Sequence, residues 1–265
     1  MTKIVIIGGV AGGASAATRA RRLDESADIV LFERGPYVSF ANCGLPYYVG
    51  NVIQERGKLA VQTPQSLHQR FNLDVRVSSE VTKIDVEAHE VHVRNLETGE
   101  EYREPYDKLL LSPGAEPMRP PLPGADLSQV LTVRSIPDID RVCAIMDQEQ
   151  PTRAVVVGGG FIGIEMAENL VERGMHVAIV EMASHVIKSL DADMACDLHA
   201  ELRAHDVDLH LNTGVSAIEE DGDTLVCLEC GAESDFKALK DRAVEDAVKN
   251  FMREQGKGLV TPEKQ

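Results

Sequence analysis

The 265-residue sequence has no tryptophan, and aromatic residues make up only 4% of it. That excludes platforms that stack unpaired bases on successive aromatic faces. Basic charge is also scarce: 27 Lys and Arg stand against 43 Asp and Glu, a formal net charge of −16 at pH 7. A surface of that sign repels phosphate backbones and anionic lipid, so neither nucleic acid nor a membrane is expected as a partner. Cysteine is sparse, and its five irregularly placed copies are an odd number, which argues against a disulfide framework. Cys227 and Cys230 form one C-x-x-C with no second pair and no histidine at ligand spacing after it, so no metal site is expected. No apolar run is long enough to span a bilayer, and residues 4–7 are too short for a secretory segment, so a cytoplasmic location is expected.

What the chain does have is buried strands that run into glycine loops. Residues 3–8 read as a strand apolar on both faces, as a central parallel strand must be. Gly8, Gly9, Val10, Ala11, Gly12 and Gly13 follow at once, and a small-residue helix is expected from Ala14 to about Leu23. The N–H groups and dipole of such a helix make a site for a pyrophosphate. A second strand over 28–33 ends on Glu33, placed to accept the hydrogen bonds of an adenosine ribose. Val10 departs from the G-x-G-x-x-G fingerprint; the order strand, loop, helix, strand, acid carries the assignment.

The same order returns later. Residues 154–163 give a strand and a complete fingerprint in Gly158, Gly160 and Gly163, followed by a helix to about Arg173. The strand over 176–181 then ends on Glu181, which would repel a 2′-phosphate; NADH is therefore expected in preference to NADPH. Between the two patterns, a helix is expected over 63–71, a short strand over 75–77 and a small antiparallel sheet from 81–85 and 90–95. A buried strand leads from Tyr106 towards Ser112 and Pro113. Pro117, Pro120, Pro121 and Pro123 then make a stiff connector, followed by a helix over 136–147. The division expected is a first dinucleotide domain over 1–117, a connector over 118–150, a second over 151–230 and a helical tail over 231–265. A helix over 194–205 and paired strands near 209–218 and 224–228 complete the second domain.

Cys43 sits among small and polar neighbours, Ser39, Ala41, Asn42 and Gly44, and Pro46 suits the first turn of a helix that begins just after it. Small neighbours let a backbone or cofactor approach the sulfur, and a helix start lowers a thiol pKa. Glycine loops on both sides in the sequence favour a reactive thiol over an inert one. Two such loops around one cysteine imply a nicotinamide and a flavin passing electrons towards sulfur. Cys143 and Cys196 are expected in the core, and the histidines on the surface or at caps.

The first loop, taken with Ser39, Phe40, Ala41, Asn42, Cys43, Gly44, Leu45, Pro46 and Tyr47, resembles the single-cysteine branch of the flavin-dependent pyridine nucleotide–disulfide oxidoreductases. Within that branch it is similar to the coenzyme A-disulfide reductases and the NADH-dependent persulfide reductases. Leu111 to Ala115 and Val157 to Glu165 match the same patterns, and Val10 is normal for that family. The resemblance implies an α/β fold of two tandem Rossmann-like three-layer FAD/NAD(P)-binding domains, the first lacking its C-terminal part. It implies FAD on Gly8, Val10, Ala11, Gly13, Glu33 and Arg34, with Val81 and Ser112 near it. NADH is implied on Gly158, Gly160, Phe161, Ile162, Gly163 and Glu181. Coenzyme A, as substrate carrier, is implied on Ser15, Arg19, Arg22, Ser39 and Asn42. Phe71 stands where many coenzyme A-disulfide reductases have a lysine, which favours a persulfide or polysulfide as substrate. The reaction implied is hydride transfer from NADH to flavin and reduction of a sulfur–sulfur bond through Cys43. Alternatives are an NADH oxidase or peroxidase using a Cys43 sulfenic acid, or a nucleotide-binding remnant without turnover. The family is homodimeric, and the segment that dimerises is not found in this sequence.

Overall fold

Strand β1 (Lys3–Ile7) can be apolar from Ile4 to Ile7 because both of its faces are covered. The computed structural model describes residues 1–219 and 224–228; the expected tail helix and Cys230 lie outside the described residues. These divide into two units. The first holds Met1–Asn42 and Glu55–Ala115, and the second holds Cys43–Gln54 and the chain from Glu116 onward.

In the first unit, β1 is followed by α1 (Ala11–Leu23) and β2 (Asp28–Phe32). The short α2 (Leu45–Val49) belongs to the second unit. The first unit resumes with α3 (Pro64–Phe71), β3 (Asp74–Arg76), β4 (Ser79–Asp85), β5 (Glu90–Asn95), β6 (Glu101–Pro105) and β7 (Lys108–Leu111). Four strands form a parallel sheet in the order β3-β2-β1-β7. Successive side chains on a strand point to opposite faces. Ile6, Ile29 and Leu31 therefore pack with Ala17 of α1 and Leu67 of α3, while Val5, Val30 and Phe32 pack with Val91 and Val93 of β5. The second layer is an antiparallel meander, β4-β5-β6. Burying a side chain such as Leu31, fully inaccessible here, stabilises by about 1.5–3 kcal/mol. Ion pairs tie the meander to the sheet: Glu104 of β6 meets Lys3 at 2.5 Å and Arg76 at 2.6 Å.

Helix starts follow local chemistry. Thr63 and Ser66 form a reciprocal capping box with Pro64 in the first turn, which opens α3 where the sequence placed it. Helix α1 begins at Ala11, three residues earlier than expected, because Gly12 and Gly13 belong to the helix and not to the loop.

The second unit contains β8 (Val130–Thr132), α4 (Ile136–Glu149), β9 (Arg153–Val157), α5 (Phe161–Glu172), β10 (His176–Val180), α6 (Ala192–Ala204), β11 (Asp208–His210) and β12 (Thr224–Leu228). Its sheet is parallel, in the order β11-β10-β9-β12-β8. Two expectations change. Residues 118–150 are not a mere connector, since they supply β8 to this sheet and α4 beside it. The strands near 209 and 224 are not paired with each other: β11 lies beside β10, and β12 lies between β9 and β8. Among the described residues, no helix is long and apolar enough to cross a membrane.

Candidate functional site

The two glycine loops repeat one another hydrogen bond for hydrogen bond. Gly8 lies at φ +95 and donates its N–H to Phe32 O at 2.8 Å; Gly158 lies at φ +108 and donates to Val180 O at 2.9 Å. Both conformations suit glycine alone. A Cβ on Gly8 would also run into the carbonyl oxygen of Ser112, and one on Gly13 into that of Gly8. Glu33 closes the first loop, its Oε2 accepting from Gly9 N at 2.7 Å and its Oε1 from Gly35 N at 2.8 Å. Glu181 closes the second in the same way, accepting from Gly159 N at 2.7 Å and Ala183 N at 2.6 Å. The chain after each acid is pinned back to the loop, by Ser39 N to Gly9 O and Ile187 N to Gly159 O. Ser39 and Ile187 both take left-handed backbone, at φ 49 and φ 47.

Chemically each loop is a half-built ligand shell. A carboxylate has about four acceptor positions, so two main-chain donors leave room for the two hydroxyls of a ribose. Val10 and Gly160 precede α1 and α5, and neither supplies a side-chain cap. The first N–H groups of these helices are thus suited to a pyrophosphate. These helix starts and the acceptor positions left on Glu33 and Glu181 fit the adenosine diphosphate part of FAD at the first loop and of NADH at the second. Ala11 is the first residue of α1, Ser112 donates its N–H to Ile7 O at 2.8 Å, and Arg34 is exposed. Val81 pairs with Val93 on the meander and packs into the core beneath it. In the second loop, Phe161 opens α5 with 63% of its surface exposed. Ile162 is half-buried and Gly163 is buried.

A cleft of about 370 Å³ opens beside the first loop. Ser15, Ser39 and Phe71 line it together with Val10 and Ala11. Arg19 and Arg22 do not; they lie on the exposed side of α1, although the Arg22 Nε donates to the carbonyl of Thr18, a lining residue, at 3.2 Å. Asn42 is exposed at the start of a 3-10 turn, Asn42–Gly44, outside the lining. Sequence reasoning missed Arg70, which lines the cleft with its guanidinium 5.4 Å from the Phe71 ring centre. It also missed Arg21, 9% exposed, which donates to the carbonyls of Phe71 and Asn72 at 2.8 and 2.9 Å and so fixes the end of α3. A cation next to Phe71 was readable; the burial of Arg21 on a helix whose Arg19 and Arg22 are exposed was not.

Cys43 is exposed on that 3-10 turn, immediately before α2, with Pro46 in the helix's first turn as expected. Tyr47 is held above the usual phenol range, first by the charge of Glu165, then by burial, Glu168 and Cys43. Two expectations about other residues fail. Cys196 is exposed, its thiol donating to Ala192 O at 3.3 Å, because the face of α6 it occupies points to solvent. His199 is buried, at 8% exposure, because its ring serves as an acceptor inside the unit. Asp85, Glu90 and His92 gather within 4.8 Å on the β4–β5 hairpin, where Lys83 and Arg103 already pair with the two acids.

The chain is 37% identical over 239 residues to the coenzyme A disulfide reductase of Staphylococcus haemolyticus, covering 90% of this chain and 53% of that protein. The crystal structure of reduced Bacillus anthracis CoADR-RHD superposes with a TM-score of 0.84 at 48% identity, over 89% of this chain and 45% of that one. An NAD-dependent persulfide reductase from A. fulgidus superposes with a TM-score of 0.82 at 33% identity, over 86% and 46%. The chain thus spans about half the length of the curated relatives it matches. The profile of the pyridine nucleotide-disulphide oxidoreductases matches residues 2–240, and the chain belongs to that family.

Proposed function

We propose that the chain binds FAD at the first loop and NADH at the second, and serves an NADH-dependent reduction of a sulfur–sulfur bond in a coenzyme A persulfide, polysulfide or disulfide. The observation that carries this reading is the exact doubling of the glycine–acid framework in a chain whose Cys43 is exposed. Likeness to a coenzyme A disulfide reductase and a persulfide reductase supports the acceptor class. In the cleft, Ser15 and Ser39 offer hydroxyls and Arg70 a cation, while Phe71 offers an apolar face. That mixture suits a phosphorylated carrier with an apolar arm.

Cys43 is assigned the sulfur chemistry. Its thiolate attacks the outer sulfur of a persulfide R–S–SH, the S–S bond breaks, and R–S⁻ leaves; the enzyme sulfur is now a persulfide. Cleaving that bond to regenerate the thiolate and release hydrosulfide takes two electrons, which FAD held at the loop closed by Glu33 and NADH held at the loop closed by Glu181 would supply. The flavin supplies hydride acceptance and two-electron delivery; the chain supplies orientation and the nucleophile.

The test is Cys43→Ser in flavin-loaded protein. The variant is expected to lose NADH-dependent release of hydrosulfide from coenzyme A persulfide, while NADH still bleaches the flavin absorbance. Equal turnover of wild type and variant would remove Cys43 from the reaction. NADH-driven oxygen consumption by wild type without persulfide turnover, lost in Cys43→Ser, would point to the oxidase alternative.

A further inference from the structure

Helix α5 buries Gly163, Met166, Ala167 and Leu170, yet it also carries Glu165 and Asn169, and its C-cap is Arg173. These three are spaced i, i+4 and i+8, so they form one polar stripe along the helix. The dinucleotide framework at the other end of α5 uses none of them. They are directed instead at α2, within the same unit.

Each contact is specific. Asn169, 1% exposed, donates from Nδ2 to Glu165 O at 2.7 Å. Its Oδ1 occupies the space a Cβ on Gly50 would need, so the two helices cross closely only because residue 50 is glycine. Arg173 donates to Val49 O at 2.8 Å. Val49 ends α2, and the last carbonyls of a helix have no partner within it. The same guanidinium reaches Asp147 of α4 at 3.5 Å. Apolar residues would pack two helices without these costs; a buried amide and a guanidinium on a main-chain carbonyl fix one arrangement.

A helix of five residues has too few internal hydrogen bonds to hold itself in water. Its position is therefore set from outside, and with it that of Cys43, two residues before its start. We propose that Arg173 and Asn169 are positioning residues for Cys43: through Val49 O and Gly50 they clamp the cysteine-bearing segment to the helix that opens at the second glycine loop. The catalytic meaning of the clamp rests on the reading of Cys43 as the redox thiol; the clamp itself rests on the contacts.

The experiment is the pH–rate profile of iodoacetamide alkylation at Cys43, followed by peptide mass mapping so that Cys43 is separated from the exposed Cys196. It is run on the full chain as wild type, Arg173→Met, Arg173→Lys, Asn169→Ala and Gly50→Ala. Arg173→Met and Gly50→Ala should change the Cys43 rate near neutral pH severalfold and displace the midpoint of its profile. Labelling of Cys196 and ADP binding should stay as in wild type, and Arg173→Lys, which keeps a donor, should restore part of the profile. Wild-type Cys43 profiles in Arg173→Met and Gly50→Ala would overturn the proposal. Should either fail to show a melting transition, Asn169→Ala decides: a displaced Cys43 profile supports the proposal and a wild-type one overturns it equally. The labelling does not read turnover, so its outcome is distinct from that of Cys43→Ser.

Discussion

Both carboxylate oxygens of Glu181 are engaged by main-chain donors, Gly159 N and Ala183 N, before any ligand arrives. The remaining acceptor positions can take ribose hydroxyls but not the oxygens of a 2′-phosphate, which donate nothing and carry like charge. At an effective dielectric typical of a partly exposed site, the repulsion is of order 1–3 kcal/mol, about ten- to a hundredfold in affinity. NADH is therefore expected to bind ahead of NADPH by that margin, and Glu181→Ser should narrow it. Titration of both nucleotides followed by tryptophan-free fluorescence of the reduced nicotinamide measures it directly; equal dissociation constants in wild type would reject the role. The position of this acid at a strand end was legible in the sequence, because it follows from the βαβ order. Its bonds to its own glycine loop were not. Nor was the return of the chain to that loop, where Ile187 donates its N–H to Gly159 O from left-handed backbone at φ 47, a conformation that a β-branched residue disfavours and no pattern announces.

At the scale of elements, the segment between β10 and α6 leans on α6 through one buried ring. His199 Nε2 accepts the N–H of Val186 at 3.2 Å, and Val186 itself packs beside Gly159 of the second loop. An acceptor nitrogen must be unprotonated. Burial first, and then the charges of Arg203 and His185, push His199 below the ordinary imidazole value of 6.5. The unfolded chain then binds the proton more readily than the folded one, so stability falls as pH drops through about 6.5, and the loss is complete below the depressed folded value. Above about pH 7.5 the ring contributes no slope. Melting temperatures measured from pH 8 to pH 5 should fall more steeply in wild type than in His199→Gln, which keeps an acceptor without titrating. Parallel curves would mean that the ring does not govern the segment. This histidine was read as a surface or capping group, since one polar residue on an amphipathic helix gives no sign of the buried main-chain donor it meets. Strands were legible in proportion to their burial. β1, β2, β9 and β10 have apolar runs, whereas β6 is largely exposed and carries Glu101, Arg103 and Glu104 in five residues. β8 has three residues, and its partner β12 lies far along the chain.

For the whole molecule, the informative feature is that one solution is used twice. The register of β1 on β2 pairs Ile7 with Phe32, and that of β9 on β10 pairs Val157 with Val180, so each acid enters at the same step beyond its glycine turn. The next strand repeats as well: Glu33 donates its N–H to Arg76 O and Glu181 to His210 O, at 2.9 and 2.8 Å. The duplication was visible in the sequence as two strand–loop–helix–strand–acid runs; the fifth strand of the second sheet was not, because residues 118–150 looked like linker. Since each framework is closed by bonds within its own unit, each should bind an adenosine diphosphate moiety independently. Calorimetric titration of flavin-free protein with ADP is expected to give two equivalents. Glu33→Ala removes the acceptor that orders Gly9 and Gly35, and Glu181→Ala the one that orders Gly159 and Ala183. Hydrogen bonds to a charged acceptor contribute about 1.5–3 kcal/mol each, so each variant should lose one equivalent under conditions that saturate wild type, and the double variant both. A single variant that abolished both equivalents would show that the two loops act as one site, and the independence argued from their separate hydrogen-bond frameworks would be wrong.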